Sequence, residues 1–245
     1  MQKRFGLVGK NISYSFSKNY FTNKFKENNN SNCTYENFDL QSIEEFPSCL
    51  KNNPDLIGLN VTIPYKETII PFLDELSEKA RIIGAVNTIK ITKNGKLKGY
   101  NTDYYGFQKS LEPKLQPHHK KALILGTGGA SKGVAFALNQ MGIDVTFVSR
   151  KASKDTLNYF QLTAEIIKEN TIIINCTPIG TSPKTNECIS IPYEHLTSKH
   201  IAFDLIYNPS ETLFLKKAKK QGAEIQNGLE MLLFQAEKSW EIWTK

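Results

Sequence analysis

Hydrophobic positions along the chain fall into short runs separated by amphipathic or polar stretches. KRFGLVG (residues 3–9) predicts a first strand. FSKNYFTNKFKE predicts a helix, with Phe21 and Phe25 four apart on one face. TYENFDL alternates as a strand does, SIEEFPSCLKN is helical on both sides of a proline, and DLIGLNVT predicts a third strand. ETIIPFLDELSEKARIIG predicts a helix that starts near Glu67 and is interrupted by Pro71. VNTIKITKNGKLKGYN predicts a strand pair, with Asn94-Gly95 supplying the positive φ of a tight turn.

TDYYGFQKSL predicts a helix, and EPKLQPHH is a linker with two prolines. KALILGTGGASKGVAFALNQMG then runs from strand to glycine turn to helix. DVTFVSR, TIIINCTP and HIAFDLIYNP are further short buried runs with helical patterns between them. In GLEMLLFQAEKSWEIW, Leu229, Leu232, Leu233, Ala236, Trp240 and Trp243 make one wide apolar helix face. Strands alternating with helices predict an α/β chain with largely parallel sheets, in two units. The first unit spans about residues 1–101, and the last helix suits packing on either unit.

Composition adds limits. With 40% hydrophobic and 22% charged residues, the 245-residue chain supports packed cores rather than disorder. A net charge of +7 raises nucleic acid as a partner, but the lysines are scattered and the KKAKK and HHKK clusters suit solvated surface. A positive field also suits small anionic ligands. Cys33, Cys49, Cys176 and Cys188 form no CxxC pair, and His118 and His119 lie far along the chain from His195 and His200, which argues against a metal site. No apolar run suits a signal peptide or a membrane span, so the expected location is the cytosol.

GTGGAS follows ALIL directly and opens a helix. In that context Gly126 permits the tight turn, Gly128 lets the backbone approach a pyrophosphate at the helix N-terminus, and small Ser131 stands at the third position. An ordinary tight strand–helix turn is the plainer alternative. After the next strand, where an NAD site usually carries a carboxylate, the chain has Ser149-Arg150-Lys151. A guanidinium holds a 2′-phosphate that a carboxylate would repel, so the expected cofactor is NADP(H).

The first unit lacks such a loop, and its polar residues gather at predicted strand ends: Ser15, Ser17, Thr62, Lys66, Asn87 and Asp103. Ligands bind open parallel sheets at the carboxyl ends of strands. Singly, each has a plain structural role available: Ser17 as a helix cap, Asn87 in a turn, Lys66 as a surface lysine at a helix start. Together with SYSFS, NVTIPYKE, GAVNT, GYNTD, GTGGAS, NCTPIG, DLIYNP and NGLEMLLFQA, spread over residues 13–236, they closely resemble the shikimate dehydrogenases. Departures are few: Lys18 stands where the family usually has proline, and Thr127 where alanine is common.

The resemblance implies a substrate-binding α/β domain with a mainly parallel sheet (1–101 and 228–245) and a Rossmann-type NADP-binding domain (102–227). It implies NADP-dependent interconversion of 3-dehydroshikimate and shikimate. Ser15 and Ser17 would hold the substrate carboxylate. Thr62, Asn87, Asp103, Tyr207 and Gln235, with Asn60 a weaker candidate, would bind its ring hydroxyls or carboxylate. Lys66 would be the catalytic acid/base, oriented by Asp103. Gly126, Thr127, Gly128, Gly129 and Ala130, then Ser149, Arg150 and Lys151, and finally Leu205 and Gly228 would line the cofactor, and the family pattern also touches Glu78. Partners are then a small-molecule substrate, with neither nucleic acid nor membrane, in a monomer or homodimer. Rival readings are a quinate/shikimate dehydrogenase paralogue and a non-catalytic NADP-binding sensor.

Overall fold

The computed structural model describes residues 2–12 and 15–245; Ser13 and Tyr14 of the SYSFS stretch lie outside the described residues. The chain forms two compact units, Met1–Thr102 with Ala236–Lys245, and Asp103–Gln235. The first contains β1 (Lys3–Gly9), α1 (Phe16–Glu27), β2 (Cys33–Asp39), α2 (Phe46–Lys51), β3 (Leu56–Val61), β4 (Glu75–Leu76), α3 (Glu78–Ile83), β5 (Thr88–Ile91) and β6 (Leu97–Tyr100). Its sheet order is β2-β1-β3-β5-β6-β4. The pairs β1–β2, β1–β3 and β4–β6 are parallel, whereas β3–β5 and the β5–β6 hairpin are antiparallel. Gly95, at φ 75°, carries the hairpin turn.

The sequence predicts more helix between Glu67 and Ile83 than forms. Consecutive turns replace the start near Glu67, followed by a 3-10 turn at Ile70–Phe72 and the two-residue β4. β-Branched Thr68, Ile69 and Ile70 run into Pro71, which removes a donor and disfavours helix at Ile70. The backbone bonds the sheet edge instead, through Asp74 N–H to Leu97 O (3.0 Å) and Ser77 N–H to Gly99 O (2.8 Å).

The second unit contains α4 (Asp103–Leu111), β7 (Lys121–Leu125), α5 (Gly129–Gln140), β8 (Asp144–Ser149), β9 (Thr156–Asn158), α6 (Ala164–Glu169), β10 (Ile172–Asn175), β11 (Ile201–Asp204), α7 (Leu213–Lys220), β12 (Glu224–Gln226) and the start of α8 (Leu229–Thr244). Every strand pair is parallel. Read from β9, the order β9-β8-β7-β10-β11-β12 is the 3-2-1-4-5-6 order of a doubly wound dinucleotide fold, and it reverses between β7 and β10.

Residues 228–235 pack with the second unit, whereas the sequence assigns them to the first. A side chain at Gly106 of α4 would sit 2.3 Å from the Met231 carbonyl, so the first turns of α8 press closely on α4. The remainder of α8 belongs to the first unit. There Trp240 and Trp243 join Phe5, Phe21 and Phe25 in an aromatic cluster, and the Trp243 indole donates to Ile89 O (2.9 Å).

Candidate functional site

In the second unit, β7 ends at Leu125 and Gly126 turns the chain at φ 106°, the left-handed region that favours glycine. Its N–H bonds Val148 O (2.8 Å), and its Cα faces Thr177 and Cys176 beyond β10, at the reversal of strand order. Gly128 is the N-cap of α5. A Cβ there would meet no protein atom within 4 Å, so the space above it is open to a ligand. The first turn of α5 has no side-chain cap and no acidic residue, which leaves the positive end of the helix suited to an anion. Ser131 is buried and bonds Gly128 O through Oγ (2.7 Å), bracing the turn from below. Thr127, Gly129 and Ala130 complete the loop.

β8 delivers Ser149, Arg150 and Lys151 at its carboxyl end, with Arg150 and Lys151 exposed. Ser149 Oγ donates to Lys151 O (2.6 Å) and fixes the backbone that carries the two cations. These residues fit a dinucleotide bearing a 2′-phosphate: glycine backbone and helix end for the pyrophosphate, Arg150 for the extra phosphate.

Leu205 and Tyr207 follow β11 in a segment built around Asp204. That buried carboxylate accepts from Asn175 Nδ2 (3.0 Å), Ile206 N–H (3.0 Å) and Thr212 Oγ1 (2.6 Å). Burial pushes its pKa up to about 6, against the pull of those donors. Gly228 packs on the same segment: a Cβ there would lie 2.0 Å from Leu205 O, so only glycine fits. Asp103 opens α4 and is buried. Gln235 is also buried and packs against Gly106, which follows Asp103 by three residues and so lies one turn along α4 from it.

In the first unit, Ser15 caps α1, accepting weakly from Lys18 N–H (3.4 Å), and Ser17 stands half-buried in the first turn. Thr62 leaves β3, with its N–H on Val8 O (2.9 Å). The turn beyond is held by the Tyr65 hydroxyl on Leu40 O (2.6 Å). Lys66 is half-buried, and its carbonyl accepts from Val86 N–H (2.7 Å), next to Asn87. The backbone thus brings Thr62, Lys66 and Asn87 to one end of the sheet. Glu78 is exposed in the first turn of α3, where the helix dipole accounts for a carboxylate.

Asn60 and Asn87 belong to a buried polar network. Asn60 accepts from the Tyr35 hydroxyl (2.8 Å) and donates to Asn87 O (3.2 Å), Thr88 Oγ1 (3.2 Å) and Ser239 Oγ (3.0 Å). Tyr35, Thr88, Thr102 and Ser239 were not singled out from sequence. GYNTD contains Thr102 beside Asp103, and Ser239 is a lone hydroxyl among the apolar positions of α8.

A nucleotide-binding α/β unit joined to a second sheet whose strand ends carry a lysine, asparagine and hydroxyls defines a two-domain NADP-dependent dehydrogenase. A family model described as the shikimate dehydrogenase substrate binding domain matches residues 7–89. The chain is 36% identical over 265 residues to the shikimate dehydrogenase (NADP(+)) of Desulforamulus reducens, covering 98% of this chain and 89% of that protein. With the corresponding protein of Clostridium botulinum strain Hall, identity is 40% over 250 residues, with 97% and 95% covered. The solved structure of shikimate 5-dehydrogenase from Thermus thermophilus, in complex with NADP(H) and shikimate, superimposes with a TM-score of 0.87 at 32% identity, covering 100% of this chain and 94% of that one. The chain belongs to the shikimate dehydrogenase family.

Proposed function

We propose that this protein catalyses the reversible NADPH-dependent reduction of 3-dehydroshikimate to shikimate, in the cytosol, with Lys66 as the acid/base. The observation that carries the site reading is the placement of Lys66: half-buried at a strand end, with its main chain bonded to Val86 beside Asn87. An ammonium held there, beside an amide and a hydroxyl, suits a carbonyl oxygen that gains negative charge during reduction.

When bound, the cofactor supplies hydride to the carbonyl carbon. Lys66 as an ammonium stabilises the growing charge on the carbonyl oxygen and donates its proton there; in oxidation, neutral Lys66 takes the proton back. Ser15 and Ser17 grip the substrate carboxylate. Thr62, Asn87, Tyr207 and Gln235 bind the polar groups of the ring, and Asp103 accepts from the hydroxyl at the reacting carbon. Arg150 holds the 2′-phosphate of the cofactor, with Ser149 and Lys151 beside it.

The test is a set of initial-rate assays with shikimate or quinate against NADP or NAD. Shikimate with NADP is expected to give the highest kcat/KM. A preference for quinate with NAD would overturn the assignment, and no turnover of either substrate would favour a non-catalytic sensor.

A further inference from the structure

The network around Asn87 does more than satisfy buried groups, because its geometry leaves the amide one orientation. Thr102 N–H lies 2.6 Å from one terminal atom of Asn87. A backbone N–H only donates, so that atom is Oδ1. Thr102 Oγ1 and Thr88 Oγ1, each at 3.2 Å, add hydroxyl donors on the same side, and Nδ2 in turn donates to Thr102 Oγ1 (2.9 Å). Oδ1 and Nδ2 are thereby fixed in place, and the amide cannot flip without losing the Thr102 N–H bond.

The same logic orients Asn60. Its contact with the main-chain carbonyl of Asn87 must come from Nδ2, which leaves Oδ1 to accept from Tyr35 and directs the amide hydrogens at the Thr88 and Ser239 hydroxyls. Ser239 Oγ is the shared node. It is fully buried, 3.0 Å from Asn60 Nδ2, 2.8 Å from Thr88 Oγ1 and 3.2 Å from Thr102 Oγ1. Both hydroxyls that brace Asn87 Oδ1 therefore touch the Ser239 hydroxyl.

We infer that Ser239, from the C-terminal helix, is a positioning residue for substrate recognition. Through Thr88 and Thr102 it holds the Asn87 amide in the one orientation in which the substrate meets it. This rests on the proposed substrate contact of Asn87.

Steady-state kinetics on Ser239→Ala, Asn87→Ala and the double variant test it, with shikimate and NADP varied separately. Ser239→Ala is expected to raise KM for shikimate roughly three- to tenfold, the range of one hydrogen bond, while KM for NADP stays unchanged. In the Asn87→Ala background the same change is expected to add nothing, because Ser239 acts through Asn87. Trp240→Leu, a packing change on the same helix, is expected to lower Tm without raising KM, separating positioning from loss of stability. An unchanged KM in Ser239→Ala, or full additivity in the double variant, overturns the positioning role and leaves the proposed function standing. Wild-type protein that fails to turn over shikimate overturns both.

Discussion

The two units build their sites from different materials. At the end of the first sheet the proposed site is made of side chains: Asn87 is braced by Thr88, Thr102 and Ser239 behind it, and Lys66 is held beside it. At the end of the second sheet it is made of backbone. Gly126 turns, Gly128 leaves open space, and the first turn of α5 has no side-chain cap. A side-chain site reads the position of each hydroxyl of a small ring. A backbone site reads a pyrophosphate, which looks the same in every dinucleotide, and must add a separate cation for discrimination.

The largest effect is expected at the proposed acid/base. Lys66→Ala should lower kcat about a hundredfold or more with little change in substrate KM, as removal of a general acid does. Asp103→Asn should slow turnover too, and the double variant should fall short of additivity if the two act as a unit. A rise in KM alone for Lys66→Ala would make this lysine a binding residue.

Next comes the cation proposed to add discrimination to the backbone site. Arg150→Ala should weaken NADP about ten- to a hundredfold and leave NAD nearly untouched, because the guanidinium has a partner only when the 2′-phosphate is present. Equal losses measured by titration of both cofactors would assign Arg150 a structural role.

A smaller change sharpens the contrast. Gly128→Ala should leave Tm within about 1 °C of the wild type, since the new methyl meets no protein atom, yet weaken NADP and NAD alike severalfold. If it weakened NADP alone, the glycine turn would read more than the pyrophosphate.

The smallest effect concerns pH. His119 accepts Gln116 N–H at Nδ1 (2.8 Å) and so bonds Lys199 O through Nε2–H (3.1 Å). Burial, the largest influence, holds its pKa below the ordinary value. The unfolded chain then binds the proton more readily than the folded one, so stability falls as pH drops below about 6.5. Asp204 acts in the opposite direction: raised to about 6, it favours the folded form as pH falls through that value. Comparing Tm of the wild type and His119→Gln from pH 7.5 to 5.5 isolates the histidine, and the variant should show the flatter acid loss.

Much of this was legible in the residues. Long periodic stretches such as 3–9 and 16–27 form the elements their patterns predict, because one buried face fixes the period. The glycine turn was legible because its conformation admits few side chains. What escaped was set by partners distant in the chain. β4, β9 and β12 are two or three residues long, too short to carry a period, and exist because a neighbouring strand supplies their bonds. The Asn60–Ser239 bond joins positions 179 residues apart, so no local pattern marks Ser239. The division of α8 between units was hidden for the same reason, since its apolar face is continuous while its packing partners change.

That division has a consequence for synthesis. Residues 103–235 form a unit from one uninterrupted stretch, whereas the sheet begun at Lys3 borrows Ala236, Ser239, Trp240 and Trp243 from the last helix. On a ribosome the nucleotide-binding unit can close while the earlier-made segment still lacks its aromatic cluster and the hydroxyl behind Asn87. The part translated first is completed last, and a chain cut after Gln235 would expose Phe5, Phe21 and Phe25 to chaperones and proteases while carrying a dinucleotide fold already whole.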